Sequence, residues 1–182
     1  MSERALKRIL VLAAVIAIAY LAARVLGGGP SAPDDGGPLA ELLSGLESEA
    51  ITAVTFVRPA DTVRLERSDG GWTVNGFPAD SGAVAGFLGG LAGSGTGGVV
   101  ARNPANHARL GVAEDSAVAL TISREGGDDL TLLVGDAGPS FPSVYVRLPG
   151  QDPVHLFQGR LRSPARRSVD QWRDREIVAL DT

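Results

Sequence analysis

Three groups of residues in this chain have types and spacing that could do chemistry. The first is the run GSGTGG, residues 93–98, which matches GxGxxG through Gly93, Gly95 and Gly98. Such glycines let a pyrophosphate approach the backbone, provided a strand precedes them and a helix follows, so that the phosphate rests on the helix N-terminus. Here the order is reversed: the helical pattern DSGAVAGFLGGLAG comes before and the strand pattern GGVVAR after. The run therefore reads as a helix stop and a loose connector. A P-loop would need a lysine after its last glycine, and the single lysine of the chain is Lys7.

The second group is His107, in the polar NPANHARLG, and His155, in the apolar PVHLF. With neither HExxH nor GxSxG in the chain, the two histidines signal no zinc site and no triad. A hydrolase using His155 or His107 with a nearby acid stands as an alternative. The carboxylate pairs Asp34-Asp35, Glu114-Asp115 and Asp128-Asp129 lie in linker or turn sequence without calcium-loop spacing, and read as solvated turns. There is no cysteine, which excludes disulfides, thiolate nucleophiles and Cys-ligated metals. The expectation is a chain with no catalytic residue, no cofactor and no metal.

The third group is arginine. Arg160, Arg162, Arg166, Arg167, Arg173 and Arg175 crowd the C-terminal region around Trp172. Of these residues, Arg162, Arg166, Arg167, Trp172 and Arg173 are the candidate interaction surface, suited to anionic lipid or an acidic partner. The interleaved Asp170, Asp174 and Glu176 support a second reading, a salt-bridged helix packing through Val169, Trp172 and Ile177.

The elements that must position these groups begin with a membrane signal. Residues 9–23, ILVLAAVIAIAYLAA, are uncharged and follow Arg4, Lys7 and Arg8. Counting on to Leu26, with Arg24 snorkelling, gives 18 residues, enough for a short span of the hydrocarbon. Residues 1–26 are read as a retained anchor, with a signal peptide cleaved after Ala17-Ile18-Ala19 as the alternative. Either way the cationic head stays cytoplasmic, and the body is expected outside the cytoplasmic membrane as a single-pass, periplasmic-type protein. The whole chain holds 17 Lys/Arg and 21 Asp/Glu; the head takes four and one of these, leaving 13 and 20 in the body, net −7. A body this acidic is a poor binder of nucleic acid.

Residues 27–38, GGGPSAPDDGGP, form a Gly/Pro-rich tether, and the folded domain is expected over 39–182. It opens with a helical pattern at Leu39, Leu42, Leu43 and Leu46. Strand patterns follow at ITAVTFV, TVRLER and WTVNG, a three-stranded meander in which Trp72 is a core anchor. A helix capped by Asp80 buries Val84, Phe87, Leu88 and Leu91, at spacing i, i+3, i+4, i+7. After a strand near Val99, Asn103 and Pro104 start a short helix that Gly111 ends. AVALTIS, DLTLLVG, SVYVRL and PVHLFQ then read as hairpin strands, and RSPARRSVDQWRDREI as one closing helix capped by Ser163. The fold class is α+β: a mainly antiparallel sheet of consecutive hairpins with two or three packed helices, preceded by one transmembrane helix.

Taken in series, GGWTVNGFPADSGAVAGFLGGL, VVARNPANHARLGV, LTLLVGDAG, SVYVRLPGQDPVHLF and SVDQWRDREIVALD resemble the family called domain of unknown function 4340, over Ile51 to Asp181. The resemblance implies a membrane-anchored extracytoplasmic protein, some members accompanying ABC-type export permeases or gliding-motility-type transporter auxiliaries. It brings no catalytic residues. The expected function is a non-enzymatic interaction or accessory component of a transporter or envelope complex, held in the cytoplasmic membrane through residues 9–26. A small-molecule or glycan binding module, using the sheet face or the loops near Phe141 and Tyr145, is the alternative.

Overall fold

Alternating apolar residues give each strand segment one face to bury, and pairing satisfies the backbone between them. In the computed structural model, which describes residues 37–92 and 95–175, these segments form one antiparallel sheet. Its strands are β1 (Ile51–Val57), β2 (Thr62–Ser68), β3 (Gly71–Val74), β4 (Phe77–Pro78), β5 (Gly95–Ala101), β6 (Val118–Arg124), β7 (Leu130–Ala137), β8 (Ser143–Arg147) and β9 (Val154–Gln158). The spatial order is β4-β3-β2-β1-β6-β7-β8-β9-β5. Two hairpin runs meet at β1 and β6, while β5 crosses to the far edge and pairs with β9.

Register sets the core. Val54 lies opposite Leu65 and Ile122, and Ile122 opposite Leu130; Phe56 lies opposite Val63 and Leu120, and Leu120 opposite Leu132. A bulge between Ile51 and Ala53 re-phases β1, so that Ile51 is buried along with Val54 and Phe56. Among the described residues the helices α1 (Gly37–Ser44), α2 (Ser81–Ala92), α3 (Arg162–Ala165) and α4 (Val169–Trp172) add Leu39, Leu43, Val84, Phe87, Leu88, Leu91, Ala165 and Trp172 to the same core. Each fully buried Leu, Val or Phe contributes roughly 1.5–3 kcal/mol of transfer free energy. Phe56, Phe87 and Trp172 meet at its centre, with ring centroids 5.5 to 6.1 Å apart. A smaller cluster of Leu110, Val112 and Val154, with Ala101 and Tyr145 packed against it, joins residues 103–117 to the sheet.

Helix α2 follows the sequence closely. Asp80 Oδ1 accepts from the Ala83 N–H at 2.9 Å, and the four expected apolar residues are the buried ones. It also carries Gly82, Gly86, Gly89 and Gly90, each costing about 0.8–1 kcal/mol against Ala in a helix. A Cβ at Gly86, Gly89 or Gly90 would meet nothing, so packing within the chain does not explain these three. Asn103 accepts from the Ala105 N–H at 2.9 Å to start a 3-10 turn, Pro104–Asn106, and Gly111 ends that segment at φ +70°.

Several expectations are corrected. The first meander has a fourth strand, Phe77–Pro78, because Asn75 and Gly76 both take positive φ and close a two-residue hairpin. Asn75 also ties that turn to β2, accepting from the Arg64 N–H at 2.7 Å and donating to Thr62 O at 3.0 Å. The GSGTGG connector is largely strand: β5 begins at Gly95, and a Cβ at Gly97 would stand 3.2 Å from Leu156 Cβ on β9. The single C-terminal helix is two helical turns, since the chain leaves helical geometry between Ala165 and Val169. Leu161 rather than Ser163 is the N-cap of the first. The helical pattern near Leu39 starts at Gly37, inside the expected linker.

The 1–26 anchor, most of the linker, Gly93 and Ile177 lie outside the described residues. Among the described residues no helix is long and apolar enough to cross a membrane.

Candidate functional site

The break between α3 and α4 creates the main concavity. After β9 the Gly159 N–H donates to Pro142 O at 2.8 Å, which brings the β7–β8 loop against the start of the C-terminal segment. Leu161 and Ala165 are buried, spaced one helical turn apart, and pin α3 down by its apolar side. The Ser168 N–H then donates to Gln171 Oε1 at 2.9 Å and opens α4. Arg58 secures the break from β1's side: its Nη1 donates to Arg167 O at 2.9 Å, while its Nη2 donates to Asp61 Oδ2 at 2.7 Å.

What results is a cleft of about 780 Å³ walled by Phe141, Arg160, Arg162, Arg166, Arg167 and Gln171. A second hollow of about 480 Å³ shares Arg160, Ser163 and Arg167 with it, and has Gly82, Gly86 and Gly90 of α2 as its other wall. A third of about 430 Å³ adjoins through Arg167 and Gln171, and reaches Arg173, Arg175 and Asp80.

Charge in the main cleft is one-sided. Asp136 Oδ1 is shared by Arg162 at 3.4 Å and Arg166 at 3.6 Å. Arg160 lies over the Phe141 ring, 5.9 Å from its centroid, and Arg167 over the Trp172 ring at 4.8 Å. Phe141 itself is 87 % exposed at the lip. Arg162 Nε is buried without a hydrogen-bond partner, and a buried donor left unsatisfied costs roughly 1–3 kcal/mol.

Of the five residues expected to form an interaction surface, Arg162, Arg166 and Arg167 line the cleft together. Arg173 borders the third hollow, resting on Phe77 at 4.2 Å. Trp172 is the correction: it is 0 % exposed, because its indole fills the core against Phe56 and Phe87. Arg160, outside the expected interaction surface, and Phe141, whose loop is the sequence's alternative small-molecule or glycan site, complete the cleft. The Arg160 signal was present in the same basic run.

The histidines are not brought together. His107 Nε2 stands 2.9 Å from Asp152 O, in the segment that packs on the Val154 side of β9. His155 is 5 % exposed and, by strand alternation, turns the opposite way, between Val146 and Val99. Among the described residues no three His, Asp or Glu side chains are grouped to hold a metal ion. Glu114 does more than decorate a turn: its Oε1 accepts from the Gly150 N–H at 3.1 Å and lies 3.6 Å from Arg147 Nη2. Arg147, 4 % exposed, is a structural clamp, donating through Nε to Val112 O at 2.9 Å and through Nη1 to Gln151 O at 2.8 Å. Tyr145 sits in the cluster with Val154 and does not share the Phe141 cleft.

No curated protein and no solved structure matches the chain. A family model does: the domain of unknown function (DUF4340) matches residues 72–182, a span that holds α2, the β7–β8 loop and every arginine of the cleft. The chain belongs to the domain of unknown function 4340 family.

Proposed function

We propose that this protein is a non-enzymatic interaction module, tethered to the cytoplasmic membrane by its N-terminal apolar segment and acting outside it as an accessory component of a transporter or envelope complex. The observation that carries the reading is the cleft: four arginines and an exposed phenylalanine line it, and one carboxylate, Asp136, pairs with two of those arginines. Fixed cations beside a bare aromatic ring favour recognition of a partner over bond-making, and aromatic and Arg residues are the side chains that anchor interfaces. The tether rests on the uncharged run 9–23 behind Arg4, Lys7 and Arg8.

The test is in-cell cross-linking from a photoreactive residue at Phe141, on the full-length chain in its membrane. A reproducible adduct with a membrane or envelope protein is the expected result. Adducts from Phe141 no more frequent than from Glu66, on β2 away from the cleft, would refute it. Protease digestion of intact and permeabilised cells tests the topology: the body should be cleaved once the outer barrier alone is opened. A second reading, a small-molecule or glycan site, is favoured by the cleft volume, which falls within the roughly 300–1,000 Å³ of ligand pockets. Thermal-shift screening against acidic sugars separates it from the first.

A further inference from the structure

We propose that the groove between α2 and the arginines of residues 160–167 is the docking site of an acidic, extended segment of a partner protein. This inference rests on the interaction-module reading and adds the chemistry of the partner. Arg160, Arg162, Arg166 and Arg167 line the main cleft, and Asp136 is the counter-charge of Arg162 and Arg166 alone, so the groove carries an excess of positive charge on a domain that is acidic on balance. An anionic partner segment is drawn to this one place and repelled by the rest of the surface.

The cations narrow the chemistry. They are all arginines, whose planar forks match carboxylates two bonds at a time. Arg162 holds Asp136 at only 3.4 Å, in a pair that is about half exposed, and its Nε has no acceptor. Such a pair is weak enough for an incoming carboxylate to replace.

The opposite wall narrows the shape. Gly82, Gly86 and Gly90 follow one another at four-residue spacing along α2, and the second hollow opens onto them. With open space where the side chains of Gly86 and Gly90 would be, a peptide backbone can lie against the helix while its side chains point across to Arg160 and Arg167. Phe141 at the lip offers an apolar seat for one side chain of the same segment. Pro142 and Gly159 line both hollows, so one extended segment can run from the glycine wall into the arginine cleft.

The experiment uses the full-length chain in phosphatidylcholine nanodiscs and a fluorescent peptide of alternating Glu and Leu, read by anisotropy. Its Lys-for-Glu counterpart is the control, and phosphatidylglycerol vesicles are the competitor. The acidic peptide should bind, weaken as salt rises, and exceed the basic peptide by tenfold or more. The double variant Arg160→Glu/Arg166→Glu should lose at least thirtyfold in affinity. Gly86→Leu should lose about tenfold with its melting temperature unchanged or raised, which separates a filled groove from a misfolded domain. Equal binding of both peptides, an unchanged affinity in the charge-reversed variant, or displacement of the peptide by the vesicles would each overturn the proposal. If the Phe141 cross-linked partner survives in the charge-reversed variant, the groove assignment fails while the interaction-module reading stands. If the native chain gives no partner, that reading fails whatever the peptide does.

Discussion

Gly135 on β7 offers a sharp test of how residues 103–117 are held. It is buried, and a Cβ added there would lie 2.6 Å from Val112 Cγ1 and 3.1 Å from the Gly111 carbonyl carbon, with Leu110 O closer still. Carbon atoms in contact prefer about 3.5–4.0 Å, so Gly135→Ala must lift the segment by close to an ångström. Lifting it breaks the Asp136 N–H bond to Leu110 O, 3.0 Å in the native chain, and pulls Val112 O from Arg147 Nε. A neutral bond is worth about 1 kcal/mol net and one from a charged donor about 2, giving a loss of about 3 kcal/mol. With an m-value of about 2 kcal/mol/M, the urea midpoint should fall by about 1.5 M. The assay is urea unfolding of the full-length chain followed by near-UV circular dichroism, with amide exchange at Val112 and Asp136 as the local readout. Gly90→Ala is the control, since its Cβ meets open space and should stabilise by about 0.5–1 kcal/mol. If Gly135→Ala unfolds within about 0.5 kcal/mol of the native chain and both amides stay protected, the close-approach argument is wrong.

Substitutions at three further positions probe the core, the Arg147 clamp and the cleft. Trp172→Ala should cost about 3–5 kcal/mol; Trp172→Phe should cost much less than its lost volume suggests, because it also removes an indole N–H buried without an acceptor. Thermal melts of the two variants check the difference. Arg147→Met should destabilise by about 2–4 kcal/mol by stranding the Val112 and Gln151 carbonyls, and Arg147→Lys should recover little of that, as one ammonium cannot span both. Asp136→Asn should shift stability by less than about 1 kcal/mol, its two ion pairs being exposed, yet raise the affinity of the acidic peptide about threefold.

The elements were legible where local chemistry decides them. Asp80, Asn103 and Gly111 work as written, and the periodicity of Val84, Phe87, Leu88 and Leu91 gave the buried face of α2. Strand neighbours were less legible, because hairpin logic pairs each strand with the next and nothing local says that β5 travels to β9 or β1 to β6. The closing helix was misread for a physical reason: both Ser163-Pro164 and Ser168 look like helix starts, and two starts five residues apart leave room for only one turn between them. Trp172 could be assigned either way from spacing, until the position of Phe56 and Phe87 decided it. The arginine run was visible, but its concavity was not, since the facing wall comes from α2 and from a loop some twenty residues earlier.

The pairing of β1 with β6 has a consequence for anyone who cuts the chain. Val54 and Ile122 are 68 residues apart yet direct neighbours at the middle of the sheet. That seam forms only after a long loop closes, which makes it a slow step in folding. The family match begins at Trp72, inside β3, with β1 and β2 left outside it. A fragment trimmed to that boundary would leave β3 paired only with the two-residue β4 and bare the flank of β6, where Leu120 and Ile122 sit. Such a piece should aggregate through an open strand edge, so the unit of folding is longer than the unit of sequence kinship.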